Sequence, residues 1–153
     1  MGQEAVAIVT GGSFPTGRRV ARGLAGWGWA IVVVYLEHQR TVEATVVEIL
    51  ATDGRIVAVR ADLADDLDVL RLFAESRAAF GDVAVVVHTM TARAPLLLRH
   101  GAQHVNPGGI IVTAAVGDQV DPVVARQFRE RGITVDTTSP DEILIFLDRW
   151  RRR

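Results

Sequence analysis

The 153-residue chain has no cysteine and no lysine. Without cysteine it forms no disulfide, offers no thiol nucleophile and holds no thiolate-ligated metal. Without lysine, all 17 basic residues are arginine. Schiff-base chemistry and lysine-assisted proton transfer are therefore excluded from these residues. Aromatic residues are scarce at 6%, and Tyr35 is the one tyrosine. Charge of one sign is lacking too: the formal net charge is −1, which argues against broad electrostatic binding to nucleic acid or an anionic membrane. Long apolar runs are missing. The first stops at Thr10 with no basic segment before it, and Ala30–Leu36 and Val83–Val87 are far below spanning length. The expectation is a cytoplasmic chain with no membrane or nucleic-acid partner.

What is present is ample material for a core. Hydrophobic residues make up 49% and charged residues 23%, which suits one compact domain over 1–153. Short Val/Ile-rich runs alternate with stretches of helical spacing, the pattern of βαβ units around a parallel sheet covered on both faces. Strands are predicted at Ala5–Val9, Ala30–Tyr35, Arg55–Arg60, Val83–His88, Gly109–Ala114 and Ile133–Asp136. Six helices follow. The first begins near Thr16 and ends at Gly26-Trp27-Gly28; the second presents Val42, Val46, Ile49 and Leu50 on one face and stops at Asp53-Gly54. The third spans Asp65 to Phe80 with three aspartates complementing its N-terminal dipole. The fourth starts at Pro95, the fifth is Asp121–Arg131, and the last opens on Ser139-Pro140-Asp141-Glu142, read as a capping box. Right-handed crossovers then give a doubly wound three-layer α/β/α sandwich, strand order 3-2-1-4-5-6, with three helices on each face.

Such a sheet binds ligands at the carboxyl ends of its first and fourth strands. Here the first strand runs into Val9-Thr10-Gly11-Gly12-Ser13-Phe14-Pro15-Thr16-Gly17-Arg18. A glycine-rich strand-to-helix turn brings backbone close to a phosphate and aims free helix N–H groups at it. Gly12 and Gly17 have the spacing of a phosphate-binding P-loop, but Arg18 and Arg19 stand where that motif needs lysine and a hydroxyl. The P-loop is rejected.

The turn instead resembles the T-G-x-x-x-G-x-G motif of the short-chain dehydrogenase/reductase family, through Thr10, Gly11 and Gly17. The likeness extends through Asp53-Gly54, Ala58-Val59-Arg60-Ala61-Asp62-Leu63 and Phe80-Gly81-Asp82. It resumes at Arg131-Gly132-Ile133-Thr134-Val135-Asp136 and Ser139-Pro140. The resemblance implies a Rossmann-like domain with a dinucleotide against Thr10, Gly11, Ser13, Phe14, Thr16 and Gly17. It adds Tyr35 and Leu36 at the adenosine ribose, Asp62 and Leu63 at the adenine, and His88 and Thr89 after the fourth strand. Neither Phe14 nor Leu36 is basic and Glu37 lies close by, so NAD is expected ahead of NADP.

The departures from the family pattern fall on functional positions. Pro15 replaces the second turn glycine, removes an N–H and fixes φ, which is expected to weaken dinucleotide binding. His88-Thr89-Met90-Thr91 stands for Asn-Asn-Ala-Gly. The serine expected after the fifth strand is missing from Thr113-Ala114-Ala115-Val116, where Thr113 offers the hydroxyl. Gly117–Asp121 leads directly into the fifth helix, where the family carries Tyr-x-x-x-Lys. The reading is a shortened member with a degenerate site, acting through nucleotide or partner binding. The alternative is an NAD(P)-dependent oxidoreductase built around His88, Thr89 and Thr113; a scaffold without ligand is a third class.

Other residues carry paired readings. Asp62 contacts adenine or serves the third helix as a cap. His88 is a general acid/base candidate or a polar plug bonded to the altered turn. His100 and His104 have zinc-like spacing but lack a third ligand, so they are read as surface residues and no metal is expected. Trp27 and Trp29 are read as packing, and Arg149–Arg153 as a solvated, frayed end. A homo-oligomer or protein partner is left open.

Overall fold

A computed structural model describes residues 4–115 and 120–153. Its sheet has six parallel strands in the order β3-β2-β1-β4-β5-β6. These are β1 (Val6–Val9), β2 (Ala30–Tyr35), β3 (Arg55–Arg60), β4 (Val83–His88), β5 (Val105–Thr113) and β6 (Thr134–Thr137). Five helices connect them, α1 (Pro15–Gly26), α2 (Gln39–Ala51), α3 (Asp66–Phe80), α4 (Pro95–His104) and α5 (Pro122–Arg131), and α6 (Ile143–Arg151) follows β6. In register, Ile8 lies between Val32 on β2 and Val86 on β4.

Alternation along the central strands divides the core. Ala7, Val9, Ile31, Val33, Val85 and Val87 pack under α1, α2 and α6. Ile8, Val32, Val34, Val86 and Ile111 point the other way, under α3, α4 and α5. Three helices on each face therefore follow from a period of two in strands buried on both sides. Each fully buried Val, Leu or Ile contributes roughly 1.5–3 kcal/mol relative to exposure.

Several boundaries move for identifiable reasons. β5 starts at Val105, not Gly109, because Val105 pairs with Val83 before the register shifts and resumes at Val85 opposite Ile110. The extra residues hold Pro107, which has no N–H for a ladder, and Gly108 at φ 82°. β6 starts one residue later than predicted. The Ile133 amide is taken by Phe128 O, 2.9 Å, in a C-terminal cap where Gly132 adopts φ 66°. Leu50 turns outward, 51% exposed, since the stripe at Val42, Thr45, Val46 and Ile49 already covers the inward face of α2.

The capping box is not formed. Ser139 makes no side-chain cap; a 3₁₀ turn over Pro140–Glu142 closes through Glu142 N–H to Ser139 O, 3.0 Å, and α6 begins at Ile143. Asp65, by contrast, caps α3 by accepting from the Asp68 amide at 3.1 Å. The C-terminal arginines are not merely solvated. Arg151 stacks over Trp27 at 4.1 Å, and Arg151 and Arg152 both bond to Asp148. Buried Trp29 meets Trp27 and Trp150 edge-on, so the tryptophans do pack.

Candidate functional site

The carboxyl ends of β1 to β4 open into a cleft of 510 Å³, within the range of small-molecule sites. The turn after β1 forms its floor. Gly11 sits at φ 67°, and a Cβ there would meet Thr89 Oγ1 at 2.5 Å and Met90 Cγ at 3.1 Å. Gly17 packs α1 directly on the turn, since a Cβ would overlap the Gly11 carbonyl. Both glycines are required by close approach, whatever the cleft holds.

Pro15 occupies the first turn of α1 without distortion. Phe14 is extended at φ −107° and the proline follows at the helix start, a position that tolerates its missing N–H. The residue that needs positive φ is Gly11, so the fixed φ of Pro15 does not strain the turn. The loss that remains is one amide in the first helical turn. Arg18 N–H reaches Phe14 O at 3.1 Å, while Thr16 and Gly17 occupy the positions where helix amides lack intrahelical carbonyls.

One end of the cleft is built from β2 and β3. Phe14 and Leu36, exposed at 53% and 41%, line the cleft with Leu63 and Asp62. Ser13 O–H donates to Glu37 O and ties the turn to the end of β2. Asp62 precedes α3 without capping it, since Asp65 is the cap. Asp62 Oδ1 accepts from the Ala64 amide at 2.9 Å, and its own amide donates to Asp68 Oδ2 at 2.8 Å, yet it faces the cleft. The Asp62 amide and Arg71 hold the Asp68 carboxyl below the usual carboxylate range. Tyr35, Glu37 and His38 complete this end, with His38 at φ 60°.

On the β4 side His88 is buried, 2% exposed. Thr10 Oγ1 lies 2.9 Å from its Nδ1, and Nε2 lies 2.6 Å from Ala92 O. A carbonyl only accepts, so Nε2 carries the proton and Nδ1 accepts from the threonine in the neutral ring. His88, Met90, Ala92 and Arg93 reach the cleft wall. Thr10, Thr16, Gly17 and Thr89 are not among its lining residues; Thr89 Oγ1 donates to Thr10 O at 2.8 Å.

Thr113 is not brought to this cleft. Its Oγ1 accepts from the Ala115 amide at 3.0 Å, and it borders a separate cavity with Phe128 and Val135. Val116 and residues 117–119 lie outside the described residues. The fifth helix carries neither tyrosine nor lysine.

His100 is not a surface residue. It is buried, with Nε2 2.8 Å from Asp66 Oδ1, and Arg99 reaches the same oxygen at 2.7 Å. Together they hold the Asp66 carboxyl below its ordinary value. His104 stacks on His100 with ring centroids 6.0 Å apart. Among the described residues no cluster of three His, Cys, Asp or Glu is placed to hold a metal, and no helix is long and apolar enough to cross a membrane.

Sequence reasoning missed Arg93 and Met90 as cleft residues. The signal available was their place just after β4, in the segment taken only as a departure from a motif.

The short chain dehydrogenase family profile matches residues 5–104. A hydroxynaphthalene reductase-like protein of Metarhizium robertsii is 38% identical over 82 residues, which are 54% of this chain and 31% of that protein. The chain spans about a third of the length of the curated relatives it matches. A dehydrogenase/reductase from Sinorhizobium meliloti superposes with a TM-score of 0.72 at 26% identity, covering 88% of this chain and 71% of that one. A metagenomic blue fluorescent protein in complex with NADPH superposes at 0.69 with 22% identity, covering 88% of this chain and 73% of that one.

Proposed function

The chain belongs to the short chain dehydrogenase family, and from that premise we propose that it binds an adenosine nucleotide in its cleft without performing tyrosine–lysine hydride transfer. The observation that carries the reading is the cleft itself. Exposed Phe14 and Leu36 offer apolar faces to a base, while Asp62 and Glu37 offer acceptors to an amino group and ribose hydroxyls. Those groups fit the adenosine half of a nicotinamide dinucleotide, and the turn at Gly11 to Phe14 fits a pyrophosphate. NAD is expected ahead of NADP, because Glu37 disfavours a phosphate on the ribose. The missing amide at Pro15 weakens binding. The cytoplasm is the compartment this reading calls for.

A bound nicotinamide would supply or accept hydride. The chain's own contribution to such chemistry is the point at issue, because no lysine and no second tyrosine is present. Reductase activity of the kind named for the Metarhizium relative is the second reading, favoured by one observation: His88 borders the cleft.

Calorimetry and thermal-shift titration with NAD(H) and NADP(H) test the first reading. Ligand at tenfold above Kd stabilises the native state by about 1.4 kcal/mol, or roughly 3–6 °C in Tm for a chain of this size. No shift with any of the four at millimolar concentration would sink it.

A further inference from the structure

We propose that Arg93 is the phosphate-binding residue of this cleft and replaces the anion contact that Pro15 removes. The inference rests on the adenosine-nucleotide reading above and names the residue that selects for the phosphate. Arg93 follows β4 and lies on the cleft wall. Among the described residues it makes no hydrogen bond or ion pair, unlike Arg60, bonded to Leu36 O, and Arg99, bonded to Asp66. It is exposed, the single arginine among the described lining residues, whereas the carboxylates Glu37 and Asp62 also line the cleft.

Topology separates these charges. Asp62 follows β3, Glu37 follows β2, the glycine turn follows β1 and Arg93 follows β4, in the order of neighbouring strands. Parallel strands lie about 4.7–4.9 Å apart, so the ends of β3 and β4 are about 14 Å apart. The cleft is thus acidic at one end and cationic at the other, with the turn between. An adenosine 5′-phosphate enters in one orientation: base and ribose toward Asp62 and Glu37, phosphate toward the turn and Arg93. Guanidinium is suited to the task because its planar fork matches phosphate oxygens and it stays charged at any working pH. Met90, packed beside Gly11, places the Arg93 loop against the turn.

The test is calorimetric titration of adenosine, ADP and NAD into the native chain and into Arg93→Gln, Arg93→Lys and the distant charge control Arg129→Gln. Arg93→Gln is expected to weaken ADP and NAD about tenfold or more while leaving adenosine unchanged. Arg93→Lys should restore part of the loss, and Arg129→Gln should match the native chain. Equal ADP affinity in the native chain and Arg93→Gln, with adenosine still bound, overturns the role of Arg93 alone. Failure of adenosine, ADP and NAD to bind the native chain overturns the nucleotide reading and this inference together. Circular dichroism on each variant verifies folding; Arg93 is exposed and unpaired, so its replacement leaves the core intact.

Discussion

The Thr10 hydroxyl joins the ends of two adjacent strands by lying 2.9 Å from Nδ1 of His88. The same oxygen accepts from the Thr89 amide at 3.1 Å. One hydroxyl therefore accepts from the backbone and donates to the ring, and the ring donates its Nε2–H to Ala92 O. The network ties β1, β4 and the following loop into one unit beneath the cleft. Buried groups of this kind are costly to leave unpaired.

Thr10→Val should expose that cost. Valine keeps the shape and opens no cavity, but the Thr89 amide loses its acceptor and His88 Nδ1 loses its donor. Urea unfolding should show a loss of about 1–3 kcal/mol with an unchanged m-value. A loss within ~0.3 kcal/mol would mean that the network contributes nothing net.

The sheet was legible because Val32, Val86 and their neighbours are buried on both faces, and that leaves a continuous apolar run in the sequence. The turn was legible because Gly11, at positive φ against the Thr89 and Met90 side chains, and Gly17, against the Gly11 carbonyl, leave no room for a side chain. Less local features were not. Val105 joins β5 only because Val83 stands opposite it. His100 is buried because Asp66, 34 residues away, supplies a partner. Ser139 has the spacing of a cap, yet a main-chain bond closes the turn first. Arg93 becomes conspicuous only when the other cleft residues are seen around it.

Acidification should weaken the fold through His104 before any carboxylate matters. Partial burial, with His100, Arg131 and Arg77 nearby, lowers its pKa from the ordinary 6.5. The unfolded chain therefore takes up this proton first. The contribution of neutral His104 is complete above about pH 6.5 and declines as pH falls from there through the lower folded value. Asp66 acts in a lower window. Its depressed pKa stabilises the fold above the ordinary 3.8 and is lost as pH falls through the folded value. Urea midpoints between pH 7 and 5 should drop less for His104→Gln than for the native chain. Parallel curves would show that His104 is uncoupled from folding.

Pro15→Gly should strengthen nucleotide binding severalfold by restoring an amide to the first turn of α1. The structure shows no backbone strain to relieve, so the gain comes from the N–H alone. Stability should fall by about 0.5–1 kcal/mol, because proline at a compatible position restricts the unfolded chain. Calorimetry and urea unfolding on the same samples separate the two effects. Unchanged affinity for ADP and NAD would show that the ligand makes no use of this amide.

Hydride transfer provides the last prediction: the purified chain should not reduce ordinary ketones or aldehydes with NADH or NADPH. Hydride delivered to a carbonyl leaves an alkoxide that must be protonated as it forms, and a positioned acid contributes ~10²–10⁴-fold. A tyrosine activated by lysine would serve, but Tyr35 ends β2 and no lysine exists in the sequence. His88 is the remaining candidate at the cleft. Its Nε2 proton is committed to Ala92 O and its Nδ1 to Thr10, so protonating a substrate there requires breaking a buried bond first. Thr113 is turned away, its oxygen held by the Ala115 amide. Monitoring absorbance at the reduced nicotinamide band across a carbonyl panel should give a flat trace. Turnover that disappears in a folded His88→Ala variant would establish the second reading and place the proton donor at that ring.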